Sequence, residues 1–197
     1  MTNWSRINYE YDRPVPDRLY FTDSDEANEL IASDPMALLV GFELDQQVTV
    51  RKAFAGPLAL KERLGAIDAD TLASADLEPV FRARPVIHRY PKSMARRVQE
   101  LAVHVRDRYD GDAARIWTEV GDSQALRANL EALPGFGELK IKSLGAVLAK
   151  HFDVDAARDL VPSHLTLGDV DSPEALDDYE AAKRVHKEEW AKVPAGG

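Results

Sequence analysis

Cysteine is missing from all 197 residues. The chain therefore has no disulfide, no thiol nucleophile, no zinc–thiolate site and no cysteine-held iron–sulfur cluster. Long apolar runs are missing as well. No stretch approaches the roughly 20 residues of a membrane-spanning helix, and Met1-Thr2-Asn3-Trp4-Ser5-Arg6 lacks the apolar core of a secretory signal. These absences lead to the expectation of a cytoplasmic protein without membrane contact. The five histidines are scattered, no two of them four residues apart, so no transition-metal site is expected. Repeats and low-complexity segments are absent, and strand signals are weak throughout.

What is present is enough for a packed core: 45% of the residues are hydrophobic, in a chain long enough for one full-sized domain. Net charge is −9, which argues against a nucleic-acid partner until position is considered. Residues 1–34 hold 3 basic and 8 acidic groups, and residues 153–180 hold 1 and 9. Residues 35–152 hold 17 basic and 15 acidic groups, so the centre is mildly basic between acidic flanks. A binding partner feels the local field rather than the net charge. Weak, salt-sensitive binding to nucleic acid is expected unless the arginines gather on one face. The acidic stretch 153–180 is a candidate phosphate mimic that covers the basic centre.

Helical punctuation recurs along the chain. Residues 1–20 have no period and read as an extended arm. Thr22 to Asp25 resembles a capping box opening a short helix through Ile31. Asp34-Pro35 pairs a capping side chain with proline at the first helical position. The run Met36–Val40, with Phe42 and Leu44, is too apolar for a surface helix and predicts a central buried one. A helix is expected from Arg51 to Leu64, closed by Gly65, and short pieces over 66–92, broken by Pro79, Pro85 and Pro91. Ser93 opens an amphipathic helix with Met94, Val98, Leu101, Val105 and Tyr109 on one face, and Asp110-Gly111-Asp112 ends it. Leu126–Leu133 forms the next helix, and Ile141, Leu144, Leu148 and Phe152 line one face of its successor. Residues 153–172 read as acidic and irregular. Ser172-Pro173 caps a last helix carrying Leu176, Tyr179, Val185 and Trp190. The sum is an all-α fold of nine or ten helices: an arm and short helix over 1–34, a core over 35–160, and an acidic loop with a final helix over 161–197.

Between two of these helices lies Leu133-Pro134-Gly135-Phe136-Gly137-Glu138-Leu139-Lys140. Its glycines permit tight or left-handed backbone. The helix that follows aims unpaired N–H groups outward, an arrangement suited to phosphate, with Lys140 and Lys142 beside it. Such a turn grips a nucleic-acid backbone without reading its sequence.

The turn, with Leu44-Asp45-Gln46-Gln47-Val48 upstream, resembles the helix-hairpin-helix DNA glycosylase superfamily of base-excision repair. Arg89-Tyr90-Pro91-Lys92-Ser93-Met94-Ala95 and Tyr109-Asp110-Gly111-Asp112 are similar to further family segments, in the family's order, over roughly residues 30–155. The resemblance implies two helical subdomains with a cleft that binds double-stranded DNA, and a monomer. It implies a monofunctional glycosylase that extrudes a damaged base and hydrolyses its N-glycosidic bond, or a DNA-binding protein that kept the fold without the chemistry. DNA contacts are expected from Gln46, Gln47, Gly135, Phe136, Gly137, Lys140, Lys142, Arg89 and Lys92. A monovalent or magnesium ion at the turn's carbonyls is implied by the family alone, and no other cofactor is expected.

The chain departs from the pattern beyond the second hairpin helix. The family's Gly/Pro-rich loop and aspartate are replaced by Phe152-Asp153-Val154-Asp155-Ala156-Ala157-Arg158-Asp159. Asp159 has the better separation from Gly135 and Asp155 follows a valine, so these are the two candidate carboxylates, with a solvated acidic loop as the plain alternative. By the resemblance Lys140 also matches the lysine that attacks the sugar in family members with lyase activity, one extra residue in the turn leaving its register against Lys142 open; phosphate contact or plain solvent exposure is the expected role. His88, Arg89, Tyr90 and Lys92 form a basic-aromatic turn suited to stacking or phosphate contact, with Tyr90 alternatively in the core. Arg96, Arg97, Arg106 and Arg108 are expected on a mostly solvated helix face, with one or two of them reaching DNA. Trp4 and Trp117 are expected to pack rather than stack on bases.

Overall fold

The computed structural model describes residues 15–192, with side chains through Val185. Among the described residues there are ten α-helices and two 3-10 turns and no strand. The arm expected over 1–20 lies largely outside them, as do Trp4 and the Trp190 side chain. Helix α1 (Asp25–Ser33) is capped by Ser24, whose hydroxyl accepts the Ala27 N–H. The expected box from Thr22 is therefore corrected: Thr22 forms a side-chain turn with Ser24 instead, because its oxygen meets the backbone two residues on. Helix α2 (Pro35–Leu44) begins as expected, with Asp34 accepting the N–H groups of Met36 and Ala37. All ten of its residues are buried.

Thr49 caps α3 (Val50–Leu64). Two short helices follow, α4 (Ala69–Ser74) and α5 (Leu77–Arg82). Helix α6 (Pro91–Tyr109) starts two residues before the expected Ser93, because Pro91 takes the first turn, where a missing N–H costs nothing. Helices α7 (Arg115–Thr118) and α8 (Ser123–Glu131) lead to the glycine turn and α9 (Glu138–His151). The stretch expected to be irregular holds 3-10 turns at Asp155–Leu160 and Leu167–Asp169, and it buries Val154, Ala157, Leu160, Leu167 and Val170. Apolar residues spaced by three suffice for such turns, and the acids beside them hid the pattern. Helix α10 (Pro173–Lys192) closes the described chain.

The heavily packed pairs of elements fall into two groups. Helices α1–α6 pack on one another around α2, and α7–α10 pack with the two 3-10 turns around α9. One hydrophobic cluster from Leu19 to Leu176 runs through both groups. Phe54 anchors the first group, its ring edge-on to Phe21 (5.0 Å) and Phe42 (5.2 Å). The seam between the groups is crossed by Phe21 against His151, with ring centroids 6.3 Å apart, and by the polar contacts described next. Among the described residues no helix is long and apolar enough to cross a membrane.

Candidate nucleic-acid interface

Helix α2 has a single charged residue, Glu43, and its side chain is fully buried. A carboxylate in such a place demands donors. Lys140 Nζ, on the first turn of α9, donates to Glu43 Oε2 at 3.0 Å and to the Glu43 carbonyl at 3.3 Å. Arg97 Nη1 stands 3.7 Å from Oε1, and Gln46 Nε2 reaches the same oxygen at 3.4 Å. Arg97 also donates to Gln46 Oε1 at 2.9 Å. Helices α2, α6 and α9 thus meet at one buried carboxylate. Burial pushes the Glu43 carboxyl above its ordinary pKa, against the pull of Lys140 and Arg97. Burial pushes the Lys140 ammonium down, against the pull of Glu43.

The glycine turn sits directly on this cluster. Gly135 has φ +81°, and a Cβ there would lie 2.4 and 2.5 Å from the Glu43 oxygens. Glycine is therefore required twice, by conformation and by space. Phe136 is buried, and the Lys140 ammonium lies 5.2 Å from its ring centroid. Gly137, the N-cap of α9, is exposed and has no side chain with which to cap the helix. Leu139, one residue into the exposed edge of the same turn, is 78% exposed. The Leu133 carbonyl accepts the Phe136 N–H at 3.2 Å.

The glutamine pair divides its orientations. Gln46 points inward, its amide taken by Arg97 and Glu43. Gln47 is exposed and held at φ +55°, left-handed backbone that a residue with a Cβ rarely adopts. The turn at residues 88–90 braces it. His88 is buried; its Nδ1 accepts the Tyr90 N–H at 3.1 Å, so Nε2 carries the proton donated to the Gln46 carbonyl at 3.1 Å. Tyr90 donates its hydroxyl to Gln47 Oε1 at 3.2 Å. The Arg89 guanidinium lies over the Tyr90 ring at 4.8 Å.

Gln46, Gln47, Arg89, Gly135, Phe136, Gly137 and Lys140 are therefore brought together. Lys142 lies one turn along α9, paired with Glu138 at 3.1 Å. Lys92 lines a separate shallow groove with Asp76, Glu78, Arg96 and Gln99. Asp155 and Asp159 are both exposed on the first 3-10 turn; Asp155 pairs with Arg158 at 3.1 Å, and Asp159 accepts the Ser123 hydroxyl at 2.9 Å. Among the described residues no group of three or more acids and histidines is placed to hold a metal.

Three participants were not anticipated in these roles. Glu43 was hidden by its helix, although a lone acid in a ten-residue apolar run is the signal that marks it. Arg97 was expected on a solvated face and turns inward to Gln46. His88 was expected to stack or touch phosphate and is buried. The C-terminal helix also reaches this region: Lys183 pairs with Asp45 at 3.0 Å, and Glu180 accepts both the Arg51 backbone N–H at 3.3 Å and its guanidinium.

Comparison of the chain with family models, with curated proteins and with solved structures finds no match.

Proposed function

We propose that the protein acts in base-excision DNA repair, as a monomeric, monofunctional DNA glycosylase of the helix-hairpin-helix kind. In this reading the two groups of helices are the two subdomains, and duplex DNA lies across the face where the glycine turn meets the glutamine loop. The backbone of Gly135, Phe136 and Gly137 takes phosphate oxygens, with Lys142 and Arg89 adding positive charge on the same face and Lys92 standing apart in its own groove. Gln47 enters the gap left by an extruded damaged base. A carboxylate, Asp159 or Asp155, then stabilises the oxocarbenium-like sugar while water displaces the base.

One observation carries the reading. Gln47 is an exposed polar residue kept in left-handed backbone, on a loop whose neighbour Gln46 is locked to the ground beneath the turn. Strain held in place by its surroundings is the kind found at binding sites. A second reading, DNA binding without base removal, is favoured by the exposure of both candidate carboxylates and by their engagement with Arg158 and Ser123.

The test is base release. Alkylated, deaminated and oxidised duplexes are incubated with the protein, and freed bases are identified by mass spectrometry. Release of one base, lost in Asp159→Asn or Asp155→Asn, supports the glycosylase. Duplex binding without release from any substrate leaves the binding protein, and no duplex binding at low salt rejects both.

A further inference from the structure

The heavily packed pairs of elements lie within the two groups, one hydrophobic cluster runs through both, and the proposed DNA contacts stand on either side of the seam: the glutamine loop at the end of α2, the glycine turn at the start of α9. Glu43 lies where they touch. We infer that Glu43 is a positioning residue: through Lys140 it sets the register between the glutamine loop and the glycine turn, so that one duplex meets both. This rests on the DNA-binding reading above and adds to it that Lys140 contacts no phosphate.

The argument begins with what the pair does not do. A buried ion pair is a poor source of stability, since well-packed apolar residues of similar size are often as good or better. Nine of the ten residues of α2 are uncharged, and an apolar residue at position 43 would continue that pattern. An apolar contact, however, has no direction and tolerates sliding. A carboxylate with fixed donors does not. Glu43 Oε2 takes Lys140 at 3.0 Å, Oε1 faces Gln46 and Arg97, and the space beside both oxygens exists only because residue 135 has no Cβ. The carboxylate therefore touches the turn, the helix behind it and the glutamine loop at once. The Lys140 side chain is only 14% exposed, and its ammonium is engaged by the Glu43 carboxylate, the Glu43 carbonyl and the Phe136 ring. A phosphate would have to displace those partners.

The test replaces the pair with apolar residues of similar size, Glu43→Leu with Lys140→Met, which leaves net charge unchanged. Thermal stability is measured beside the affinity for a duplex, read by fluorescence anisotropy between about 50 and 200 mM salt. The expected result is an unchanged or higher Tm, affinity at least tenfold weaker at every salt concentration, and an unchanged slope of log affinity against log salt. Affinity within twofold of the wild type would overturn the inference. So would a slope shallower by about 0.9, the mark of one lost phosphate contact, or a loss of affinity that merely follows a fall in Tm. If the double variant does not fold, Glu43→Gln keeps the shape and removes the charge; a lower Tm is expected from the unpaired Lys140, with weaker binding at constant slope measured at a temperature where the variant is fully folded, and unchanged binding overturns the inference. Wild-type protein that binds no duplex rejects the DNA reading and this inference with it, whereas the variant outcomes reject the inference alone.

Discussion

Gly135 and Gly65 offer a controlled comparison. Both hold nearly the same left-handed backbone, at φ +81° and +84°, but Gly65 has nothing within 4 Å of an added Cβ and Gly135 has the Glu43 carboxylate at 2.4 to 2.5 Å. Gly65→Ala meets backbone strain alone, about 1 to 2 kcal/mol. Gly135→Ala meets the same strain and must also move a carboxylate that lies at the end of a flexible side chain but is fully buried. Moving it gives up the Lys140 partner, and breaking a buried pair costs about 3 to 5 kcal/mol. The expected losses are thus about 1 to 2 kcal/mol at residue 65 and about 4 to 7 kcal/mol at residue 135. At roughly 2 to 4 °C per kcal/mol for a chain of this size, Gly65→Ala lowers Tm by a few degrees and Gly135→Ala by at least about 8 °C. Urea and thermal unfolding followed by circular dichroism measure both. Repeating Gly135→Ala in a Glu43→Ala background closes a double-mutant cycle, in which the cost at 135 falls to that at 65. Equal losses at the two glycines in the wild-type background would refute the claim that Glu43 fills the space of the missing Cβ.

Two further outcomes are expected. Gln47→Gly relieves left-handed strain and raises stability by roughly 1 kcal/mol while weakening duplex binding; a variant no more stable than wild type would show that the backbone there is not strained. Burial holds His88 and His151 below the ordinary histidine value of 6.5. The unfolded chain therefore takes up protons that the native state refuses, and stability that is full above pH 6.5 declines as pH falls below it. The slope is up to about 1.4 kcal/mol per pH unit for each histidine, and urea midpoints that stay constant between about pH 5 and 7.5 would contradict the assignment.

Helix boundaries were legible wherever the signal is local. Asp34-Pro35, Gly65 and Asp110-Gly111 stop or start helices through groups within a few residues of themselves. The apolar run of α2 announced its own burial. Thr22 misled because a second capping candidate, Ser24, stood two residues on, and Ser93 misled because Pro91 already takes the first turn with no side-chain cap. The site was legible only in halves. The glutamine loop and the glycine turn could each be read as DNA contacts, but their meeting depends on Glu43 and Lys140, 97 residues apart. Arg97, 51 residues from Gln46, looked like any exposed arginine on an amphipathic helix. A partner at that distance leaves no local trace, so an inward-turned cation and a solvated one share the same pattern. Asp155 and Asp159 could be read as acids near the right place. What would make one of them reactive is a pocket, and a pocket is assembled from residues on several helices.

The ties between the last helix and the start of α3 bear on how the protein is made. Arg51 collects Asp23 from before α1 and Asp177 and Glu180 from α10, and Asp45 waits for Lys183. These latter partners lie 126 to 138 residues downstream. A ribosome therefore releases the glutamine loop long before it releases the helix that secures it. Until then the loop is held by Glu43, His88, Tyr90 and Arg97, and the ties of Asp45 and Arg51 to the last helix form only once that helix has been made. A nascent chain stalled before residue 173 would have nearly all of its core and would lack the ties that the last helix makes to Asp45 and Arg51, so that on the proposed reading the order of manufacture bears on when the protein can engage a duplex.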